Sequence, residues 1–324
     1  MADSEERTEG EARENWEKDV LNRLAFATLN ERRRARRWGI FFKLLLFAYL
    51  FLLLWLIWPS DFGEAGLHHA RHTALIDISG VIAEGAEANA DDVVGALRKA
   101  FGDANAAGVI LRINSPGGSP VQAGIIYDEI RRLRKAHPDK PLYTVVTDIC
   151  ASGGYYIAAA SDAIYANRAS IVGSIGVLMN GFGFVGTMDK LGVERRLYTA
   201  GKHKAFLDPF SPIKESDVAH IHKMLDDIHQ QFIDAVRAGR GKRLKDNPSL
   251  YSGLVWTGDE AVGLGLVDKL ADTRYVAEKV IGAKEIVDYT PKPHYLELLA
   301  QRVGTAAAGA FAKVIGWGDG AVLR

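Results

Sequence analysis

A single cysteine, Cys150, occurs in 324 residues, so no intrachain disulfide can form and thiol content says nothing about compartment. Cys150 ends a short apolar stretch, which predicts a small core residue, with a thiol nucleophile as the rival reading. Net charge is missing as well, because 40 Lys and Arg balance 40 Asp and Glu. That balance excludes a protein that binds nucleic acid by broad phosphate neutralisation. The motifs of nucleotide chemistry are incomplete. Neither Gly117-Gly118 nor Gly153-Gly154 leads into the Gly-Lys-Ser/Thr of a phosphate loop. Gly181-Phe182-Gly183-Phe184-Val185-Gly186 has dinucleotide spacing, but no acidic residue closes a second strand about twenty positions later. His68, His69 and His72 read as part of a solvated linker, and His220 and His229 fall on opposite faces of one predicted helix. No metal and no cofactor is expected.

One long hydrophobic run is present. Residues 38–58 are almost wholly apolar, with Lys43 the one charge, and about 20 such residues span a bilayer core. No small-residue cleavage site follows, which favours a retained anchor over a cleaved leader. Arg32, Arg33, Arg34, Arg36 and Arg37 flank its N-terminal side. They assign the charged segment 1–37 to the cytoplasm and the bulk of the chain to the other side of an inner (plasma) membrane. The expected organisation is a cytoplasmic segment 1–37, a transmembrane helix 38–58 in contact with the lipid bilayer, a polar linker 59–72, a large domain 73–290, and a tail 291–324 with an amphipathic helix at 295–313.

Within the large domain, apolar β-branched stretches alternate with helical patterns. Strands are predicted from Thr73, at 108–113, at 141–147, at 163–165 and at 196–199, and helices at 91–101, 121–136 and 217–237. Such alternation implies an α/β domain of right-handed βαβ units, whose functional loops lie at the carboxyl ends of strands.

Two glycine loops fall at such ends, and the second carries Ser152 in Ala151-Ser152-Gly153-Gly154-Tyr155-Tyr156. A serine between a strand and an alanine-rich helix, followed by two residues without Cβ, has an open hydroxyl beside backbone N–H donors. This is the logic of a nucleophile elbow, although the string is not Gly-x-Ser-x-Gly; the rival is a small residue in a tight turn. A serine nucleophile needs a proton acceptor. The one strand-end loop that offers it is Ala200-Gly201-Lys202-His203-Lys204, which leaves Lys202, His203 and Lys204 as candidates. A lysine can act only as the neutral amine, which burial favours.

Four strings, Asn114-Ser115-Pro116-Gly117-Gly118-Ser119, Ala151 to Tyr156, Val172-Gly173-Ser174-Ile175-Gly176-Val177 and Gly201-Lys202-His203-Lys204, occur in an order and spacing that resembles the signal peptide peptidase A family. These are membrane-anchored serine-lysine peptidases of Clp-protease/crotonase-like fold, built of repeated ββα units, and the resemblance covers about residues 73–290. It implies Ser152 as nucleophile, Lys204 as general base, and Ser174 holding the lysine amine. It further implies an oxyanion hole from Gly117, Gly118 and Gly153. The family's long members carry the unit twice. This chain carries it once, which implies the short form, a homo-oligomeric ring with serine and lysine meeting across a subunit boundary. The implied substrates are cleaved, remnant signal peptides; the alternatives are a protease of intact membrane proteins and a non-catalytic crotonase-like binding scaffold.

Overall fold

The computed structural model describes residue 34, residues 36–52 and residues 70–291. The chain divides into two compact units, Met1–Leu67 and His68–Arg324. In the first, residues 36–52 form a helix, α1, whose side chains are all exposed, Leu44, Phe47 and Phe51 among them. The last part of the expected membrane span, residues 53–58, lies outside the described residues, as do almost all of segment 1–37 and the helix expected at 295–313. No helix among the described residues is long and apolar enough to cross a membrane.

The second unit is a mixed α/β domain on an eight-stranded sheet. Its centre is three parallel strands, β1 (His72–Ile82), β2 (Ala106–Gly118) and β3 (Leu142–Ala151). Their β-branched and leucine side chains, including Ile76, Ile78, Leu111, Ile113 and Val146, are almost fully buried. Each contributes about 1.5–3 kcal/mol by leaving water. Helices α2 (Ala90–Gly102) and α3 (Pro120–Ala136) connect them. Asn89 caps the first through the Asp92 amide, and Ser119 followed by Pro120 starts the second. The far edge of β3 is shared: Tyr143–Val146 pair with β4 (Ala163–Ala166), and Ile149–Ala151 pair with β5 (Ile171–Gly173). Strand β6 (Val255–Thr257) runs antiparallel to β5, β7 (Lys269–Leu270) pairs with β4, and β8 (Ile286–Asp288) closes the other side on β1.

Further helices follow β3. The short α4 (Gly153–Ala158) starts directly from the strand, α5 (Val185–Leu191) has no buried residue, α6 (Glu215–Arg240) is 26 residues long, and α7 (Gly258–Leu264) opens with a capping box of Thr257 and Glu260. The C-terminal half of α6 is rooted in the domain. A Cβ on Gly239 would stand 1.8 Å from the Ala159 carbonyl oxygen, so α6 meets the end of α4 backbone to backbone. Phe232 packs 4.9 Å from the Tyr156 ring, and buried Arg240 donates to the Gly265 carbonyl and the Asp268 carboxylate. The N-terminal half of α6 stands largely in solvent.

Two expectations are corrected. The strand predicted at 196–199 does not form, because residues 193–199 take no regular structure. Leu197 and Tyr198 there are exposed, and no neighbouring strand takes up the backbone groups on which a strand depends. The linker ends one residue early: His72 belongs to β1 and is fully buried against Tyr289 and Asp103, which ties the entry of the domain to its exit. The string 181–186 sits in an exposed segment with open space around its glycines, and no strand precedes it in a dinucleotide-binding frame.

Candidate active site

Strand β3 runs straight into Ser152, which has φ 52° and ψ −122° and no side-chain capping bond. A non-glycine residue in that region costs of order 1–3 kcal/mol and is held there by its surroundings. The holding contacts are backbone ones: the Ser152 amide donates to the Gly173 carbonyl at 2.9 Å, and its carbonyl accepts from the Tyr156 amide at 2.9 Å. The first glycine loop presses on the same turn. A Cβ on Gly117 would lie 2.7 Å from Ser152 Cβ and 2.8 Å from the Gly153 nitrogen, and Gly117 has φ 103°. Only glycine fits this position.

The two loops therefore share one spot. The Gly118 nitrogen lies 3.3 Å from where a Gly153 Cβ would stand, so the backbones of Gly118 and Gly153 are in direct contact beside the serine. Gly117 already donates its N–H to Ser115 Oγ at 3.1 Å, and Ser115 in turn donates to the Gly80 carbonyl at 2.6 Å. Ser115 is thus a buried brace for the loop. Cys150 is fully enclosed one strand position before Ala151, and burial pushes its thiol up, away from the nucleophilic thiolate. Its expected place as a small core residue agrees with the structure.

Ser174 joins the constellation through the sheet. Ala151 and Gly173 are register partners across β3 and β5, so each strand hands over at the same level to a serine with φ 52°. The Ser174 amide is bonded to the Leu254 carbonyl at 2.8 Å, and the next carbonyl, that of Ile175, accepts from the Gly253 amide and from His229 Nε2 of α6 at 3.2 Å. Ser152, Ser174, Gly117, Gly118 and Gly153 are all brought together at the carboxyl ends of β2, β3 and β5.

Lys204 lies on a different segment, beyond α5. It lies in an exposed turn closed by its own amide to the Gly201 carbonyl at 3.1 Å, and no side-chain hydrogen bond or ion pair engages it or Lys202 among the described residues. Of the three base candidates only His203 is tied down, with Nδ1 2.7 Å from Asp217 Oδ1 in the first turn of α6. Around this turn, residues 178–213 expose a series of large apolar side chains, including Phe182 at 83%, Tyr198 at 89% and Ile213 at 82%. No group of three or more potential metal ligands occurs among the described residues.

Comparison with known proteins gives the chain a family. The model of peptidase family S49 matches residues 134–286, which include Ser152, Ser174 and Lys204. A Synechocystis protein named as a protease is 30% identical over 232 residues, 70% of this chain and 79% of that protein. The chain belongs to peptidase family S49. An Enterococcus faecium protein named as a signal peptide peptidase, SppA, is 31% identical over 223 residues, 66% of this chain and 64% of its own. A Brucella abortus protein named as a Na(+)/H(+) antiporter is 50% identical over 190 residues, 59% of this chain; only 26% of that protein is spanned. The mixed sheet with its covering helices fits the Clp-protease-like fold expected of an S49 chain.

Two residues of the site were not foreseen. Asp217 was legible as no more than a first-turn acid of a helix, and its role needed the loop to fold back on it. His229 was weighed for metal binding, whereas it bonds a backbone carbonyl beside Ser174.

Proposed function

We propose that this S49 chain is a membrane-anchored serine endopeptidase that uses a Ser152–Lys204 dyad to degrade cleaved signal peptides on the non-cytoplasmic side of the inner membrane. The observation that carries the reading is the strained Ser152 turn, wedged against Gly117 with the Gly118 and Gly153 backbones beside it. Lys204 accepts the serine proton as Oγ attacks the scissile carbonyl, then returns it to the leaving amine; water hydrolyses the acyl-enzyme by the same route. Ser174, level with Ser152 on the neighbouring strand, orients the lysine amine. The amides of Gly118 and Gly153 stabilise the oxyanion, and Gly117 supplies the close approach that brings them together. One such donor is worth about 10²- to 10³-fold in rate.

The reading places serine and lysine of one site on different copies of the chain. On α6, Asp217 holds the lysine loop and His229 touches the Ser174 turn. Twelve residues separate them, about 18 Å at the helical rise of 1.5 Å per residue. The reading has Lys204 serve a serine other than its own, and the exposed apolar side chains of the segment that carries it are the kind of surface a second copy covers. Burial there also favours the neutral amine that a base requires. Anchoring draws on the apolar run 38–58 with its arginine flank and on the bare apolar surface of α1.

The test is covalent and kinetic. An active-site-directed phosphonate should label Ser152, and Ser152→Ala should remove both labelling and hydrolysis of synthetic signal peptides while assembly is unchanged. Labelling elsewhere with hydrolysis intact in Ser152→Ala sinks the nucleophile assignment. Preference for folded membrane proteins over peptides moves the substrate class.

A further inference from the structure

We propose that His203 and Asp217 form a pin that fixes the catalytic base, with His203 a positioning residue for Lys204. The inference rests on the reading of Lys204 as base. Residues 200–214 are short of anchors: their backbone bonds are mainly local turns, such as Phe206 N–H to the His203 carbonyl at 3.0 Å and Asp208 N–H to the Ala205 carbonyl at 3.2 Å. Leu207, at φ 64°, bends the segment further. Elsewhere, Asp208 holds Ser211 and Arg195, and Phe184 stacks on Phe210, contacts that lie within the exposed segment itself.

Two side-chain contacts fasten the turn to α6. His203 Nδ1 meets Asp217 Oδ1 at 2.7 Å, and the Phe206 ring meets His220 edge-on at 5.8 Å. Both pairs step by three residues, 203 to 206 and 217 to 220, so one turn of the loop is seated on one turn of the helix. Lys204 lies between the two seats and stays exposed, free to be offered to another surface. A carboxylate only accepts, so Nδ1 of His203 carries the donated proton. The acceptor is the less accessible partner, with 11% of the Asp217 side chain exposed against 51% for His203, and Ser216 Oγ donates to the same oxygen at 3.4 Å. A lysine on a four-carbon stem has much rotamer freedom to lose. Pinning the residue next to it removes the backbone part of that freedom before the reaction starts, which is how a distant contact raises kcat.

The experiment is a double-mutant cycle in the full-length, membrane-extracted protein, using a fluorogenic peptide and rings checked by mass. His203→Ala and Asp217→Ala should each lower kcat about tenfold to a hundredfold with little change in KM. The double variant should be no worse than either single one, because the second change removes a contact already broken. His203→Asn, whose amide nitrogen falls near the position of Nδ1, should recover most of the loss. Additive losses, or a His203→Asn variant as slow as His203→Ala with intact rings, overturn the pin. Lys204→Ala separates this failure from that of the underlying reading: a Lys204→Ala protein with wild-type activity overturns the base itself, and with it any need for a pin.

Discussion

At the scale of single residues the site depends on side chains that are absent. Gly117 has no Cβ, and adding one drives an atom to 2.7 Å from Ser152 Cβ and 2.9 Å from the Ala151 carbonyl oxygen, at a φ of 103° that alanine resists. Both obstacles are backbone or Cβ atoms, so no flexible group can yield. Gly117→Ala should therefore reduce kcat about 10²-fold or more by displacing the nucleophile, with phosphonate labelling of Ser152 slowed in parallel. Labelling at the wild-type rate would show that the loop does not set the serine's position. Ser152 was legible in the sequence because a strand, a serine and two glycines define a turn by local rules. Ser174 was legible only through resemblance, since its place beside Ser152 comes from the pairing of β5 with β3, a long-range fact.

At the scale of elements, what the sequence revealed follows the length of the pattern. The long strands β1 to β3 and helices α2, α3 and α6 are written in hydrophobic periodicity over many residues. Strands of two or three residues such as β7 and β5 are created by the edges they join. The false strand at 196–199 has the composition of a strand and lacks a partner, which propensity cannot detect. Side chains that lock helices together are a testable part of this level. Glu129 on α3 is hydrogen-bonded by Arg132 of its own helix and by Arg98 of α2, both at 2.7 Å. The Arg132 bond first, and Arg98 after it, hold its carboxyl at about 2 against an ordinary 4.5. A depressed carboxyl stabilises the fold above its ordinary value, and that contribution disappears as pH falls from 4.5 toward about 2. Both arginine heads are more than half exposed, so screening leaves about 1 kcal/mol. Glu129→Gln should be less stable than wild type near neutrality, and the gap should close as urea titrations move into that acid window. A gap independent of pH would assign the loss to packing instead.

At the scale of the whole molecule, the proposed nucleophile and the proposed base sit on separate segments of one chain, the lysine exposed. Chains of Ser152→Ala and Lys204→Ala, each inactive alone, should regain part of the activity when co-expressed. Wherever an intact serine meets an intact lysine from the next copy, one complete site forms. Mixed assemblies that form and remain inactive would rule out sharing. Contacts between unlike patches close into rings with a sense of direction, and in such a ring the two halves of α6 acquire separate duties. The rooted half bears on Tyr156 and Ile175 beside one serine, and the overhanging half carries the lysine that serves the next. Each chain is then a lever with an arm in two reaction chambers, and acylation of the serine in one chamber is expected to alter the tempo of its neighbour. The circuit closes on itself, and by linkage the binding part of this influence runs equally both ways round it.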